Sequence, residues 1–520
     1  MNLECSASEC REKTQMNQEN LKAFIRANIY SFAFLGIMLW VAYGMKLSHL
    51  SISHDTEAII SVPDSLYDSW VSMGRYGLLL LKKIFGLYQF NPWLASVLMF
   101  LAMMSGAVIW EYLFYQLANT KKGFGKISWI FPAFFLTAPM MAEQLSFELQ
   151  AFEVSLAILI TGVVLLLIWQ GFIRRRYWYA VPAVLLLALS FSCYQTIIPL
   201  YMAAAAACFL IYYKRQERFW SSIFWMIGIM GVSFVIYELG SKVALQIFQI
   251  TPTNYLSDQI LWGNTSVVQC VRNILYHIRD ALFCRDIYYS MAYPIAVIFA
   301  IVLLVMMFRR KQKNFYLYLL GLLFLLLTPF IMTILLGQQP KFRTQIVLPF
   351  VFGFLFRNFA LELIEIGKNG GKVLLRGITA ISVILIFQQI NITSKMFYSE
   401  YVQYEEDVRL AVKITDRIDQ LNLGENPEEP VVIIGSRSPR LNPSAYGGYE
   451  NPGNSFYEWC FTVEYGTFII QNFWTTLGYD YHMPNAEQSS FAERYAEKMP
   501  SWPDTGSVRC EEGVIIVKLS

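Results

Sequence analysis

Within the run His54-Asp55-Thr56-Glu57, one imidazole and two carboxylates fall in four residues of a chain otherwise poor in charge. A carboxylate set this way can take a proton from an attacking hydroxyl. Arg75 follows about twenty residues later, and its planar fork suits phosphate oxygens, two at a time where geometry allows. A second pair of cations, Lys341 and Arg343, stands alone in the short stretch 337–343 between two apolar runs. Preorganised cations there would neutralise charge building up on a departing phosphate. Arg272, with Arg279 and Arg285, is a further candidate for phosphate contact. Glu143, Glu148 and Glu153 cluster where two apolar runs meet, and Glu143 and Glu148 are candidates for contact with a sugar or an acceptor hydroxyl. Tyr194 and Gln195 mark another such turn, facing the same side.

These groups act together only if the apolar runs between them bring them to one place. The chain has 520 residues, 56% of them hydrophobic and 15% charged, against roughly 25% charged in soluble domains. Its mean hydropathy is +0.41. Apolar runs of about 20 residues, the length that crosses the hydrocarbon core of a bilayer, recur through the first three-quarters. The expected fold is an all-α polytopic membrane protein with about eleven spans, near 28–45, 93–117, 127–145, 152–172, 178–192, 196–213, 219–240, 290–308, 315–336, 344–361 and 373–391. Basic residues collect in alternate connections: the N-terminal tail, "KKGFGK" at 121–126, "RRR" at 174–176, "KRQER" at 214–218, "RRKQK" at 309–313, and Arg357 with "KNGGK" at 368–372. The positive-inside rule puts these in the cytoplasm.

That orientation makes residues 1–27 a cytoplasmic tail before a retained first anchor, and 28–391 the membrane domain. The loops 46–92, 241–289 and 337–343, and the segment 392–520, are extracytoplasmic. The candidate residues therefore gather at the outer surface of a plasma membrane. Within the loops, "GRYGLLLLKKIFGL" at 74–87 and the stretch 255–283 read as helices lying on the surface. From about residue 395 the composition changes. Val408, Ala411, Ile414, Ile418 and Leu421 share one helical face, and "PVVIIGS" and "GVIIVKLS" read as buried strands. A small soluble α/β domain is expected, with a Pro/Gly/Asn/Tyr-rich loop over 436–456. Cys270 with Cys284, and Cys460 with Cys510, are candidate disulfides in an oxidising compartment, whereas Cys5 and Cys10 are expected reduced. No Cys/His spacing suggests a zinc site. Asp55 and Glu57 could bind a divalent metal, but the arginines make that the disfavoured alternative.

The order of these features, a first span, an acidic "HDTEAI", then Trp70 followed by Gly74-Arg75-Tyr76 opening a short apolar helix, resembles the serotype-converting glucosyltransferase family (Gtr type II-like). A proline in the third span, the Tyr194-Gln195 turn and Lys341-Phe342-Arg343 before a late span add to the likeness, which covers about 28–391. The resemblance implies a GT-C-like fold; no cofactor is expected. It also implies a glycosyltransferase that moves a hexose, glucose foremost, from a polyprenyl-phosphate carrier to a cell-surface glycopolymer, with no nucleic-acid partner. It gives Asp55 the role of catalytic base, with Glu57 as its neighbour, and brings Arg75 and Arg343 to the donor phosphate. Thr56 separates the two acids, where many relatives have them adjacent, so either carboxylate can be the base. Two other functions fit the same layout: a flippase for lipid-linked sugar, and a polysaccharide polymerase or ligase with a lipid-diphosphate donor.

Overall fold

A computed structural model describes residues 21–118, 123–215, 218–255, 257–311, 314–366, 369–424, 427–445 and 455–520. Cys5, Cys10, most of the N-terminal tail, parts of the basic clusters at 121–126, 214–218, 309–313 and 368–372, and part of the 436–456 loop lie outside the described residues.

Among the described residues, eight helices are long and apolar enough to cross a membrane: Ile29–Ser48, Pro92–Leu117, Glu148–Arg174, Phe219–Phe248, Ala292–Arg309, Phe315–Leu336, Val347–Ile366 and Gly371–Asp419. The protein is a multi-pass membrane protein. Three shorter apolar helices, Phe124–Leu136, Tyr177–Cys193 and Ile197–Tyr212, account for the difference from eleven spans. At 1.5 Å per residue, 16 residues reach only about 24 Å, short of about 30 Å of hydrocarbon. The expected span 127–145 is two pieces, Ile130–Leu136 and Pro139–Ser146. The break falls at Ala138, whose backbone is extended, because a residue before proline is driven out of the helical region.

Helix Val347–Ile366 runs through the middle of the bundle and is buried along nearly all of its length. Several charges buried inside the bundle are paired, which offsets the cost of desolvating them. Arg357, expected among the cytoplasmic markers, is instead fully buried. Its Nε lies 3.6 Å from Glu111, and its guanidinium stacks over Phe124 and Phe114. At one end of the bundle, Glu362 receives both Lys214 and Arg310. The helix expected to lie on the surface at 74–87 is Tyr76–Ile84, and it is packed into the bundle along one face. Leu78, Leu79, Leu81 and Lys82 are buried, and Lys82 Nζ sits 2.9 Å from Glu153. Within 255–283 the helix is Val267–Leu282. It buries Cys270, His277 and Ala281 and leaves Val267, Val268, Val271 and Leu275 exposed.

The last long helix, Asn369–Asp419, is unbroken over 51 residues, about 77 Å. It serves both parts of the molecule. Its first half carries exposed apolar residues such as Leu374, Ile384 and Phe387, while Ala411, Ile414 and Ile418 near its end are buried in a separate core. The boundary expected at 391/392 thus lies inside a helix and not in a linker. The second core is built on a three-stranded sheet of β1 (Val431–Ile434), β2 (Val508–Glu511) and β3 (Val514–Lys518), in the order β1-β3-β2. β1 and β3 are parallel, with Val431 opposite Ile515, and β2 is antiparallel to β3. Both faces are covered, so the strands read as continuous apolar runs. Val431, Ile433, Ile515 and Val517 face helix Val463–Thr476 and the end of the long helix. Val432, Val514 and Ile516 face helix Ala486–Ala496.

Candidate active site

The first loop leaves helix Ile29–Ser48 at His49, whose backbone is extended. Thr56 N–H closes a turn onto Ser53 C=O at 2.9 Å, and Asp55 occupies its third position with φ 72°. A type II turn requires a positive φ there. Aspartate tolerates it better than most residues with a Cβ, although the left-handed region still costs about 1–2 kcal/mol. The surroundings supply that cost. Ile52, 5% exposed, sits in the C-terminal core, a burial worth about 1.5–3 kcal/mol. The His54 ring stacks on Trp459 with centroids 4.1 Å apart and planes at 22°. Its Nδ1 lies 3.2 Å from Asp55 Oδ1.

A second wall comes from the junction between helices Pro63–Ser72 and Tyr76–Ile84. Gly74 has φ 75° and no room for a side chain, since a Cβ would meet Tyr237 Oη at 2.8 Å. The tight junction aims Arg75 inward. Arg75 Nε donates to Gln195 Oε1 at 3.2 Å, and its guanidinium lies 5.3 Å from the Tyr194 ring centre. Gln195 Nε2 in turn donates to Met73 C=O at 2.8 Å. The glycine-arginine junction and the Tyr194-Gln195 turn are therefore one structural unit.

The third wall is the short turn Phe342–Thr344. Phe342 stacks on Tyr288 at 4.2 Å, and Tyr288 Oη donates to Glu143 Oε2 at 2.6 Å. Gln345 bonds back to Pro340 C=O, and its Oε1 meets Tyr289 Oη and His277 Nε2. Burial holds His277 down to about 4, so the ring is neutral. Its Nε2–H donates to Gln345, and Nδ1 accepts from Thr333 Oγ1 at 2.6 Å. Arg343 stacks on Phe147, its guanidinium carbon 4.5 Å from the ring centre.

The three walls enclose a cavity of about 310 Å³. Asp55, Arg75, Tyr194, Gln195, Lys341 and Arg343 all line it, together with Trp70, Gln150, Thr253, Tyr255 and Gln259. The two neighbouring acids are split by their surroundings, as a close carboxylate pair in unlike environments should be. Burial works to raise Asp55, but His54, Arg343 and Arg75 outweigh it and hold the carboxyl below its ordinary 3.8. Its side chain is half exposed. Glu57 is 1% exposed and does not line the cavity. Burial first, and then the Asp55 charge, push it up to about 8 even though His54 pulls the other way. Burial also opposes a charge on His54, yet the Asp55 hydrogen bond and the Asp55 and Glu57 charges raise it.

Three other expected site residues lie elsewhere. Glu143 is buried behind the cavity, where it fixes Tyr288. Glu148 is buried too, accepting from Ser96 at 2.6 Å with Lys46 3.9 Å away. Acids in a chain turn are solvated when the turn is outermost, and here the turn is packed over. Arg272 is exposed on helix Val267–Leu282, outside the cavity. The expected disulfides do not form, and all four cysteines are free. Cys270 and Cys284 are separated by most of one helix, about 20 Å along its axis, against the 4.4–6.8 Å between Cα atoms that a bridge needs. Cys460 packs against Gly466, while Cys510 is on β2 opposite Ile515. Among the described residues no three His, Cys, Asp or Glu side chains converge on a point where a metal could sit.

Three residues given no role in the sequence reading belong to the site. Gln150 lines the cavity, while its Oε1 is buried and has no hydrogen-bond partner among the described residues. Its place between Glu148 and Glu153 was the available signal. Trp459 and Tyr465 reach the first loop from the C-terminal domain, and no local pattern announces them.

A family model described as "Glucosyl transferase GtrII" matches residues 44–356, more than half of the chain. No curated protein and no solved structure matches.

Proposed function

The chain belongs to the glucosyl transferase GtrII family and is a membrane glycosyltransferase; we propose that it moves glucose from a polyprenyl-phosphate donor to a surface glycopolymer, on the outer face of the plasma membrane. The observation that carries this reading is the meeting of one ionised carboxylate, Asp55, with three cations, Arg75, Lys341 and Arg343, around a single cavity assembled from distant segments. A lipid-phosphate sugar has its reactive carbon next to its phosphate. A site for it needs a base and a cationic clamp a few ångströms apart.

In this mechanism the acceptor hydroxyl attacks the anomeric carbon and gives its proton to Asp55. The bond from that carbon to the phosphate oxygen breaks, and the lipid phosphate leaves with the electron pair onto Arg343, Arg75 and Lys341. One displacement inverts the configuration. Asp55 is a weak base while the cations face it alone. Donor phosphate offsets their charge and raises the proton affinity of the carboxylate, so the base strengthens when the donor is seated. Gln150 provides an amide group for sugar hydroxyls, Gln195 holds Arg75 in place beside them, and Trp70 and Tyr255 provide ring faces.

The test is transfer by purified full-length protein in liposomes, using radiolabelled polyprenyl-phosphate glucose and the surface-polysaccharide fraction of the source cells. The reading predicts labelled polymer with inverted anomeric configuration and no transfer from a nucleotide sugar. Transfer only from the nucleotide sugar, or a retained configuration, contradicts it.

A further inference from the structure

The C-terminal domain lies beyond the matched region 44–356, yet it grips the loop that carries Asp55 at three points. Ile52 is buried among Ala411, Ile414, Ile470 and Phe473 of that domain's core. Trp459 stacks on the His54 ring at 4.1 Å. Tyr465 Oη lies 3.3 Å from His54 Nε2, on the far side of the ring from the Nδ1 that meets Asp55. The sequence of contacts is thus Tyr465, His54, Asp55, with the indole fixing the plane of the middle ring.

We propose that Trp459 and Tyr465 are positioning residues for the transfer reaction: they lock the His54 ring in the one orientation that sets its Nδ1 against the Asp55 carboxylate. This rests on Asp55 being the base. The ring has two torsions to lose. Stacking restricts one, and a hydrogen bond at Nε2 fixes which nitrogen faces Asp55. Once locked, the imidazole holds a carboxylate whose left-handed backbone would otherwise relax, a conformation that persists only where its surroundings over-determine it. The support for Trp459 is itself anchored. It follows the short helix Phe456–Glu458, whose start is capped by Ser455, and Asp407 of the long membrane helix accepts from Ser455 Oγ at 2.6 Å and Phe456 N–H at 2.9 Å. The domain is therefore fastened to the helix that ties it to the bundle and, by the same segment, to the catalytic loop.

The experiment uses full-length protein in liposomes with polyprenyl-phosphate glucose and the same polysaccharide acceptor. Tyr465→Phe removes one hydroxyl, Trp459→Ala removes the stack, and Trp459→Phe keeps an aromatic face. Displacement of a reacting group by about 1 Å costs about 100-fold in rate. Trp459→Ala should lower kcat by that order with donor KM unchanged, and Trp459→Phe should recover most of it. The titratable and charged groups facing His54 and Asp55 are Glu57 on the same loop, Arg75, Arg343 and Tyr465. With these unaltered, loosening the ring weakens the hold on ionised Asp55, so the acid limb of kcat/KM moves to higher pH in Tyr465→Phe. Wild-type kcat and pH profile in both Tyr465→Phe and Trp459→Ala, beside an inactive Asp55→Asn, overturns the positioning role alone. So does a loss of kcat that comes with a lower apparent unfolding temperature and an unmoved acid limb. An active Asp55→Asn overturns the assignment of the base, and this inference with it.

Discussion

Replacing Glu57 by glutamine separates the two candidate bases by stability as well as by rate. Glu57 is buried, one of its oxygens has no hydrogen-bond partner, and its pKa is pushed from 4.5 up to about 8. Forcing it to ionise in place costs about 5 kcal/mol, at about 1.4 kcal/mol per pH unit. The sign follows from proton counting. Between 4.5 and about 8 the folded protein holds a proton that the unfolded chain has lost, so this residue's contribution is complete below 4.5 and drains away as pH rises through about 8. Glutamine has the shape of the protonated acid and carries no such liability. The two proteins should therefore unfold alike near pH 4.5. The Gln variant should gain on wild type by about 1.4 kcal/mol for each pH unit above that, up to about 5 kcal/mol. The assay is apparent unfolding temperature in detergent from pH 4.5 to 8.5, paired with transfer rates at pH 7, where Glu57→Gln should stay within a few-fold of wild type. Parallel stability curves would show that Glu57 is ionised in the fold. An inactive Glu57→Gln would move the base by two residues. Either result refutes the reasoning.

Arg343→Gln should raise donor KM about 10- to 100-fold, since a hydrogen bond to a charged group is worth about 1.5–3 kcal/mol. Because Arg343 helps hold Asp55 down, the acid limb of kcat/KM should also shift to higher pH; an unmoved limb would separate the two residues. Lys82→Met leaves Glu153 buried without its ion-pair partner and should cost about 3–5 kcal/mol of stability, which adding Glu153→Gln should largely restore. Thermal unfolding in detergent reads both. Cys284 and Cys460 are free and partly exposed, so a maleimide should label them without prior reduction, and labelling only after reduction would mean that bridges form.

What the sequence announces here is what sits at the ends of apolar runs. Asp55, Arg75, the Tyr194-Gln195 turn and the Lys341–Arg343 turn were legible because each interrupts or caps a long hydrophobic stretch, and each lines the cavity. The strands 431–434 and 514–518 were legible for the same reason, as apolar runs bounded by turn residues, while β2 (Val508–Glu511) has only one buried residue and gives no such signal. Pairings across the fold were not legible. Lys82 reads as a surface lysine until Glu153 is beside it, and Arg357 reads as a cytoplasmic marker until Glu111 is. Glu143 and Glu148 look like solvated acids because a sequence does not say which turns are packed over. The count of spans is not settled by apolar content where length falls short, as in Ile197–Tyr212. The hold of Trp459 and Tyr465 on His54 joins the two ends of the chain, and no local pattern carries it.

The central claim is that the Asp55 carboxylate takes the acceptor's proton inside the cavity. Its most direct measurement is single-turnover transfer by Asp55→Asn with polyprenyl-phosphate glucose prebound. Asparagine keeps the shape and loses the basic oxygen, so the chemical step should slow by about 100- to 10,000-fold while donor affinity stays within a few-fold of wild type. A chemical step at the wild-type rate in that variant would contradict the account.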